Sequence, residues 1–430
     1  MSEFDVIVVG AGPAGSSAAI KLASEKMNVL LVDRADPPGS KNISGGVLWG
    51  NDLEKIVPNW NKMAPVERYI TSKGVGFLTK DSSIDVNIKS KKFLQGVTGY
   101  SVLRVKFDQF LAKRAESAGA MLVSGVTVEN LAFKDGKVIG VVQEGDTITA
   151  DTVILAEGAN PRVAIDSGAR RPIADQDVAI GIKEVVKLPE ATINERFGLT
   201  SKEGFAGEYA LGFLEDGVEA GGFLYTNRES ISLGVVINMG HLRADDKTYS
   251  FDIMDQFTEH PSIASLIENG KLSEYSAHLV VEGGYNSFPT QYGSGYMIVG
   301  DAAGLSFSNG LMIQGMNYAI ASGILAAETA IEAKKSSDFS EKSLSRYKDK
   351  LMESFVAKDA YNFKGIEEVT WGKLAHKIMP SLMEDVLVNM FLTDSTPKKH
   401  LTELIRKAMK ENNVKSSDLL MEGYKMIRRM

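Results

Sequence analysis

Gly10-Ala-Gly-Pro-Ala-Gly15 follows directly on the apolar run Phe4–Val9 and opens a stretch rich in Ala and Leu. An apolar strand, a turn with three glycines and a helix, in this order, are typical of a dinucleotide-binding turn. Gly10 permits the tight turn, Gly12 lets the backbone come close to a pyrophosphate, and Gly15 allows the helix to pack on the strand. The diphosphate would lie at the helix N-terminus, where backbone N–H groups are unpaired. The residues predicted to hold it are Gly10, Gly12, Pro13, Ala14 and Gly15.

An acidic residue closes the second apolar run of the chain. Val29-Leu-Leu-Val32 leads into Asp33, which Arg34 follows. A carboxylate at the end of this strand can accept hydrogen bonds from both hydroxyls of an adenosine ribose. The alternative interpretation is a Gly-rich turn without a ligand, but an acid at this position favours nucleotide binding.

The composition limits the class of protein. The chain has 430 residues, 44% apolar and 24% charged, as in a globular protein large enough for two or three lobes. Its net charge of −7 argues against a nucleic-acid partner, which requires a basic surface. The chain has no Cys to ligate an iron–sulfur cluster, and its five scattered His residues do not predict a metal site. No signal peptide precedes the first strand, so a cytoplasmic location is expected.

The order of apolar segments predicts a protein of mixed α/β and α+β class with three parts. The first is a discontinuous Rossmann-like lobe that binds the dinucleotide. Short alternating segments predict an inserted, mostly antiparallel sheet lobe on the substrate side, and a helical C-terminal region follows. In residue numbers, the first lobe takes 1–66, 98–175 and 286–335, the sheet lobe 67–97 and 176–285, and the helical region 336–430.

A second glycine-rich motif, Gly300-Asp-Ala-Ala-Gly304, follows another apolar strand late in the chain. An Asp between small residues at the end of a strand can come close to a ribose or ribityl group. The stretch 310–317 would begin a helix whose N–H groups face the part of a flavin ring that becomes negative on reduction. Residues 302–327 carry no charge and match a membrane span in length. Their polar side chains and glycines favour a buried loop and helix beside a ligand.

Together with Arg104-x-x-Phe-Asp108 at the head of a predicted helix, these motifs resemble the FAD-binding framework of the flavoprotein hydroxylase and geranylgeranyl-reductase superfamily. Two narrower motifs are similar to the FixC branch of the electron-transfer flavoprotein:quinone oxidoreductase family. They are residues 39–46 (Gly-Ser-Lys-Asn-Ile-Ser-Gly-Gly) and residues 282–289 (Glu-Gly-Gly-Tyr-Asn-Ser-Phe-Pro). The resemblance spans essentially the whole chain.

The resemblance implies that FAD is the cofactor and assigns it residues along the chain. Asp33 would bind the adenosine ribose, Arg34 would lie beside the adenine, and Arg104 would reach the phosphates or the ribityl chain. Gly315, Met316 and Asn317 would offer N–H groups to the pyrimidine edge of the flavin. The full implied set is Gly10, Gly12, Pro13, Ala14, Gly15, Asp33, Arg34, Lys41, Ser44, Gly45, Arg104, Val128, Ala156, Gly158, Gly300, Asp301, Gly310, Gly315, Met316 and Asn317.

The two narrower motifs would line a cavity over the flavin, where glycines let flat rings approach backbone N–H groups. Lys41 would either stabilise the reduced flavin or lie in solvent, and both interpretations stay open. The candidates for the cavity wall are Lys41, Asn42, Ser44, Gly45, Gly46, Gly283, Gly284 and Tyr285.

The expected electron donor is another protein, because no second dinucleotide fingerprint indicates a nicotinamide domain. The resemblance implies an FAD-dependent enzyme of the electron-transfer flavoprotein:quinone oxidoreductase type. Its implied partners are the α and β subunits of an electron-transfer flavoprotein, a ferredoxin-like iron–sulfur subunit and a quinone, in a multi-subunit complex for which electron bifurcation is a candidate activity. The mixture of apolar and basic residues in 336–430 suggests either peripheral contact with the cytoplasmic face of the membrane or a cap on partner subunits.

Two further activities use the same framework. One is reduction of a prenyl lipid, as in geranylgeranyl reductases, and the other is hydroxylation of an aromatic ring with NADPH bound only transiently. The 39–46 and 282–289 motifs favour the quinone oxidoreductase over both.

Overall fold

Apolar strands alternate with helices in the first part of the chain, and this pattern builds a parallel sheet. The structure is a computed structural model that describes residues 2–42, 45–214, 218, 220–244, 249–309, 311–370 and 372–429. The strands are β1 (Phe4–Val9), β2 (Val29–Asp33), β3 (Gly46–Trp49), β4 (Val66–Leu78), β5 (Ser83–Lys89), β6 (Gly99–Val102), β7 (Met121–Ser124), β8 (Asn130–Lys134), β9 (Lys137–Gln143), β10 (Asp146–Leu155), β11 (Val178–Lys187), β12 (Glu203–Leu211), β13 (Ala220–Thr226), β14 (Ser230–Asn238), β15 (Lys271–Val281), β16 (Tyr292–Gly293), β17 (Tyr296–Ile298), β18 (Phe307–Ser308) and β19 (Ile313–Gln314).

The helices alternate with these strands and then continue alone after β19. They are α1 (Pro13–Ser24), α2 (Trp60–Met63), α3 (Lys91–Gln95), α4 (Arg104–Ala118), α5 (Arg162–Asp166), α6 (Glu190–Phe197), α7 (Met239–Ala244), α8 (Ser250–Glu259), α9 (Pro261–Ile267), α10 (Met316–Ser336), α11 (Glu341–Leu344), α12 (Arg346–Glu353), α13 (Phe355–Asn362), α14 (Glu367–Thr370), α15 (Met379–Phe391), α16 (Leu401–Glu411) and α17 (Ser416–Arg429).

The first sheet has the strand order β16-β17-β10-β1-β2-β7. In the series β17-β10-β1-β2-β7 each strand is parallel to the next, so the turns that follow these strands meet at one edge of the sheet, while β16 pairs antiparallel with β17. Val6, Ile7 and Val8 in the central strand are fully buried. Covered on both faces, this strand is a continuous apolar run, as expected for a parallel sheet.

The second sheet has the order β15-β11-β14-β13-β12-β4-β6-β3, with β5 beside β4. Its pairs are antiparallel except β12 with β4. The predicted mixed class, with a Rossmann-like lobe, an antiparallel sheet and a helical C-terminal region, is thereby confirmed. Strands β3 and β6 belong to stretches that the sequence assigned to the first lobe, yet they pair in the second sheet. The lobe boundaries themselves stay a prediction.

The two faces of the second sheet have different neighbours. One face packs against Ile253, Met254 and Phe257 of α8 in a closed apolar cluster. The other face carries Phe223 and several further buried apolar side chains, and β19 packs against it. This second face is turned toward the start of α10, so it borders the edge of the first sheet where its turns meet.

Within residues 302–327, the short strands β18 and β19 precede the first part of α10, which is the predicted helix and is largely buried. Across the described ranges, no helix combines the length and apolar character that a membrane crossing requires. The last helix, α17, exposes Leu420, Tyr424 and Ile427.

Candidate functional site

The turn after β1 is held together by close contacts between three segments. Gly10 has a φ of +104°, and a Cβ there would lie 2.3 Å from the carbonyl oxygen of Ala156. A Cβ on Gly15 would lie 1.8 Å from the carbonyl oxygen of Gly10. Only glycine permits these contacts, which lock α1 against the ends of β1 and β10.

Gly12 differs from the other two glycines. Its φ of −73° suits any residue, and a Cβ on it would meet no atom within 4 Å. Packing within the described chain therefore does not require a glycine here. The residue instead keeps open a space in front of the α1 N-terminus, where no side chain caps the helix. This cradle fits the pyrophosphate of a dinucleotide.

Asp33 joins this turn to the end of β2. Its Oδ2 accepts a hydrogen bond from the Ala11 N–H and its Oδ1 accepts one from the Ala35 N–H, both at 2.7 Å. Each oxygen retains a lone pair for a ribose hydroxyl. The Val126 N–H donates to the Asp33 carbonyl at 3.1 Å, which brings the loop carrying the buried Val128 to the same place.

Arg34 and Lys41 lie together on the side of Asp33. Both side chains are exposed, and Lys41 Nζ donates to the Arg34 carbonyl at 3.2 Å. The Lys41 side chain thus lies in solvent in this structure, and its role toward the reduced flavin stays a prediction.

Arg104 and Asp108 form a buried pair at the start of α4. Arg104 donates through Nε and Nη2 to the two carboxylate oxygens, each at 2.8 Å, and Asp108 has no exposed surface. Asn42 Nδ2 donates to the same carboxylate at 2.6 Å. Burial alone would lower the pKa of Arg104, but the charge and hydrogen bonds of Asp108, with Asp301 further away, raise it. Arg104 therefore remains cationic, with two of its donors committed to Asp108.

Asp301 follows the end of β17 and lies in space beside the start of α10. Burial raises its pKa, against the opposing charges of Arg104 and His278. A Cβ on Gly315 would lie 3.9 Å from Asp301 Oδ1, so the two predicted residues are neighbours. Arg170 Nη1 donates to the Ala302 carbonyl and fixes this turn. Burial, followed by the charge of the adjacent Arg171, lowers the pKa of Arg170 to about 10.

The N-terminus of α10 is open. Gly315 precedes the helix and provides no side-chain cap. Asn317 Nδ2 donates to Gln314 Oε1 at 2.8 Å, while Asn317 Oδ1 is buried and has no hydrogen-bond partner within the part of the chain that is described. An open helix N-terminus and an unused acceptor beside it fit the polar edge of a flavin, which has both acceptors and an N–H donor.

Lys183 of β11 is a site residue that the sequence prediction missed. Its Nζ donates to the Gly45 carbonyl and lies 5.2 Å from the centre of the Phe223 ring. Burial, and then the charge of Arg104, lowers the pKa of Lys183 to about 7. Gly46 follows, and a Cβ on it would lie 3.3 Å from Met316 Cε. Gly45, Gly46, Lys183 and Met316 thus converge at the start of α10.

A mostly apolar cavity of about 170 Å³ adjoins this convergence. Its size is close to that of cavities of about 150 Å³ that bind benzene. The wall combines the second sheet, the loop before α10 and the C-terminal helices. Lining residues include Val75, Phe77, Glu208, Phe223, Val236, Gly284, Phe307, Ile313, Phe363, Ile366, Val369 and Met426.

The residues predicted to line a cavity do not all lie at this cavity. Gly284 lines the cavity, whereas Gly283 packs against Ser287, whose Oγ would be 2.0 Å from a Cβ at that position. The Tyr285 ring makes an edge contact with Tyr361 at 5.4 Å. Asn42 donates to Asp108, and the Gly45 carbonyl accepts from Lys183.

Other predicted residues occupy the edge where the turns meet. Ala156 follows β10, with its N–H bonded to the Val9 carbonyl at 2.8 Å. Gly158 and Gly300 have φ of +76° and +62°, and the Gly300 N–H donates to Ser322 Oγ at 3.0 Å. Two predicted residues, Ser44 and Gly310, lie outside the described residues.

Two charged residues that the sequence analysis did not predict, Lys183 and Glu208, are nevertheless marked in the sequence. Lys183 interrupts the apolar strand Ile180-Gly-Ile-Lys-Glu-Val-Val186, and Glu208 does the same within Phe205-Ala-Gly-Glu-Tyr-Ala-Leu211. A charged residue at a position that faces inward by the two-residue period of a strand is a candidate site residue. The two-residue period of a strand does not by itself show which face of the strand is buried.

Comparisons with known proteins cover the whole chain. The family described as pyridine nucleotide-disulphide oxidoreductase matches residues 4–180. Protein FixC of Escherichia coli (strain K12) is 41% identical over 429 residues, which are 99% of this chain and 99% of that protein. The "Probable electron transfer flavoprotein-quinone oxidoreductase YdiS" of the same strain is 39% identical over 98% of each chain. A solved geranylgeranyl bacteriochlorophyll reductase-like protein of Thermoplasma acidophilum superposes with a TM-score of 0.72 over 98% of this chain and 99% of its own, at 21% identity.

Proposed function

The chain belongs to the FixC family of FAD-dependent oxidoreductases, and on that premise we propose that it passes electrons from an electron-transfer flavoprotein to a quinone. The observation that carries this proposal is the position of the cavity. It holds one aromatic ring by volume and is mostly apolar. It also adjoins Gly45, Lys183 and the α10 N-terminus, where a flavin fits.

Bound FAD supplies the capacity to take up and release one or two electrons. The residues of the chain bind and orient it. The open α1 N-terminus and the space at Gly12 receive the pyrophosphate, and Asp33 receives the adenosine ribose. The α10 N-terminus and Asn317 Oδ1 hold the polar edge of the ring. Phe223 and Ile313 keep water away from the region beyond Lys183.

The proposed partners are the α and β subunits of an electron-transfer flavoprotein and a ferredoxin-like iron–sulfur subunit. Because this chain has no Cys, a cysteine-ligated iron–sulfur cluster in the assembly would belong to a separate subunit. The exposed Leu420, Tyr424 and Ile427 on α17, a helix that also carries Arg428 and Arg429, support a contact with a partner or with the cytoplasmic face of the membrane. Whether the assembly bifurcates electrons depends on these partners.

The test uses the purified full-length protein with FAD bound. We expect a reduced electron-transfer flavoprotein to bleach the visible absorbance of its flavin, and a water-soluble benzoquinone to restore it. Incubation with NADPH alone is the control. Bleaching by NADPH, with no reoxidation by the quinone and with hydroxylation of an aromatic compound, would contradict the proposal and favour a hydroxylase.

A further inference from the structure

A charged pair stands in the wall of the apolar cavity. Lys73 Nζ, on β4, donates to Glu208 Oε1 at 3.0 Å and Oε2 at 2.7 Å, on β12. The side chains keep only 19% and 15% of their surface exposed, and Lys73 Nζ lies 4.9 Å from the centre of the Trp49 ring. Glu208 is one of the residues that line the cavity, so this charged pair borders any ligand bound inside it.

Strand register places Glu208 on the same face of the second sheet as Lys183, three strands away from it. Glu208 pairs with Phe223, Phe223 with Gly234, and Gly234 with Lys183. The four residues form one row on one face, and Lys183 touches Gly45 at its far end. Three strand spacings of about 4.8 Å separate the backbones of Glu208 and Lys183, roughly 14 Å in all. Glu208 thus faces the cavity at a distance from the flavin region, with the Phe223 ring between them.

The surroundings of Glu208 shift its equilibrium from the carboxylate toward the protonated form. Burial raises its pKa, and the charge and hydrogen bonds of Lys73 oppose that shift. Burial also raises the pKa of Tyr225 and of Tyr209, and the negative charge of Glu208 contributes to both shifts. The other ionisable groups near this end of the cavity are Asp85, which acts on Tyr209, and Glu282 and His376, which line the wall.

An ion pair in an apolar wall is a poor stabiliser, because both charges lose their hydration. Apolar side chains of similar volume would line the cavity without that loss. A carboxyl group with a raised pKa inside a ligand-sized cavity is instead the usual arrangement of a proton donor.

We propose that Glu208 donates a proton to an oxygen of the quinone in this cavity, and that Lys73 then stabilises the carboxylate. This inference rests on the proposed function. Two electrons come from the reduced flavin, and for each proton the carboxyl O–H bond breaks while a quinol O–H bond forms. Glu208 takes up a proton from solvent between the two transfers, so one quinone, two electrons and two protons yield one quinol.

The test compares Glu208→Gln with Glu184→Gln, an equivalent change at a partly buried acid of β11 that does not line the cavity. Removing a general acid lowers a rate by about 10²–10⁴-fold. We expect a loss of that order in quinone reduction by E208Q and an unchanged rate in E184Q. Ferricenium takes one electron and no proton, so its reduction by E208Q reports whether electron delivery has been preserved.

A second variant tests the role of Lys73. Because the charge of Lys73 lowers the pKa of Glu208, Lys73→Met should shift the alkaline fall of the quinone rate to higher pH. Infrared difference spectra of the FAD-containing protein should show a protonated-carboxyl band that moves with the same pH and is absent from E208Q.

The outcomes distinguish a failure of the proposed function from a failure of the role proposed for Glu208. A wild-type protein that reduces ferricenium but no quinone would refute the proposed function. A wild type that reduces quinone, with E208Q equally fast, would overturn the role of Glu208 alone. Equal losses with quinone and ferricenium in E208Q, or a K73M profile that does not shift, would assign the pair a structural role and also overturn it.

Discussion

Replacing Gly12 by Ala tests whether the turn after β1 is shaped for a ligand and not for packing. The backbone at Gly12 suits Ala, and the added methyl group would meet no atom within 4 Å. The variant should therefore fold, and the smaller entropy of its unfolded chain should stabilise it by about 0.4–1 kcal/mol. The methyl group would, however, occupy the space in front of the α1 N-terminus.

The loss of FAD affinity follows from the contacts that this space allows. Displacing a phosphate oxygen from one backbone N–H removes one hydrogen bond to a charged group, which contributes about 1.5–3 kcal/mol. That energy corresponds to a dissociation constant about 10- to 150-fold weaker. Stability and affinity should thus change in opposite directions.

The assay is calorimetric titration of the apoprotein with FAD, together with thermal unfolding of the apoprotein. Gly423→Ala is the matched control, because a Cβ there also meets no atom within 4 Å but lies on α17. Gly15→Ala is the opposite control, since its Cβ would lie 1.8 Å from the Gly10 carbonyl oxygen and should destabilise the fold. A G12A protein with wild-type stability and wild-type FAD affinity would refute the reasoning.

Three further predictions concern buried charges. Asp108→Asn should lower the free energy of unfolding by about 3–5 kcal/mol, because it breaks the pair with Arg104, and urea unfolding of the apoprotein measures this. Burial lowers the pKa of Lys183 to about 7 from 10.5, so the folded apoprotein binds fewer protons than the unfolded chain between these values. Lys183 should therefore make a contribution to the free energy of unfolding that rises with pH from about 7 to 10.5. Lys183→Met should remove this contribution, and unfolding measured over a pH series would test it. Burial raises the pKa of Glu157 to about 7 from 4.5, against two backbone hydrogen bonds, so its contribution should fall as pH rises from 4.5 to 7. Glu157→Gln should flatten that slope, and an unchanged slope in either variant would show that the group titrates normally in the folded protein.

Local sequence was sufficient to predict the Rossmann-like fold of the first lobe. The turn at Gly10, the acid at Asp33 and the small residues around Asp301 are each required by the backbone within a few positions. Their signals are therefore written in consecutive residues. The length and polarity of residues 302–327 likewise sufficed to separate a buried helix from a membrane span.

Which residues line the cavity was determined by the tertiary structure. Glu208 and Lys183 belong to no local motif, and their shared face depends on the register of four strands, which pair in the order β11-β14-β13-β12 and not in chain order. A shift of one residue in any strand would turn its side chain to the opposite face. Nor could composition assign β3 and β6 to the second sheet, because strand pairing is chosen by the packing of whole lobes. The sequence thus predicted a dinucleotide at these turns, while the pairing of the strands determined which charged residues share a face.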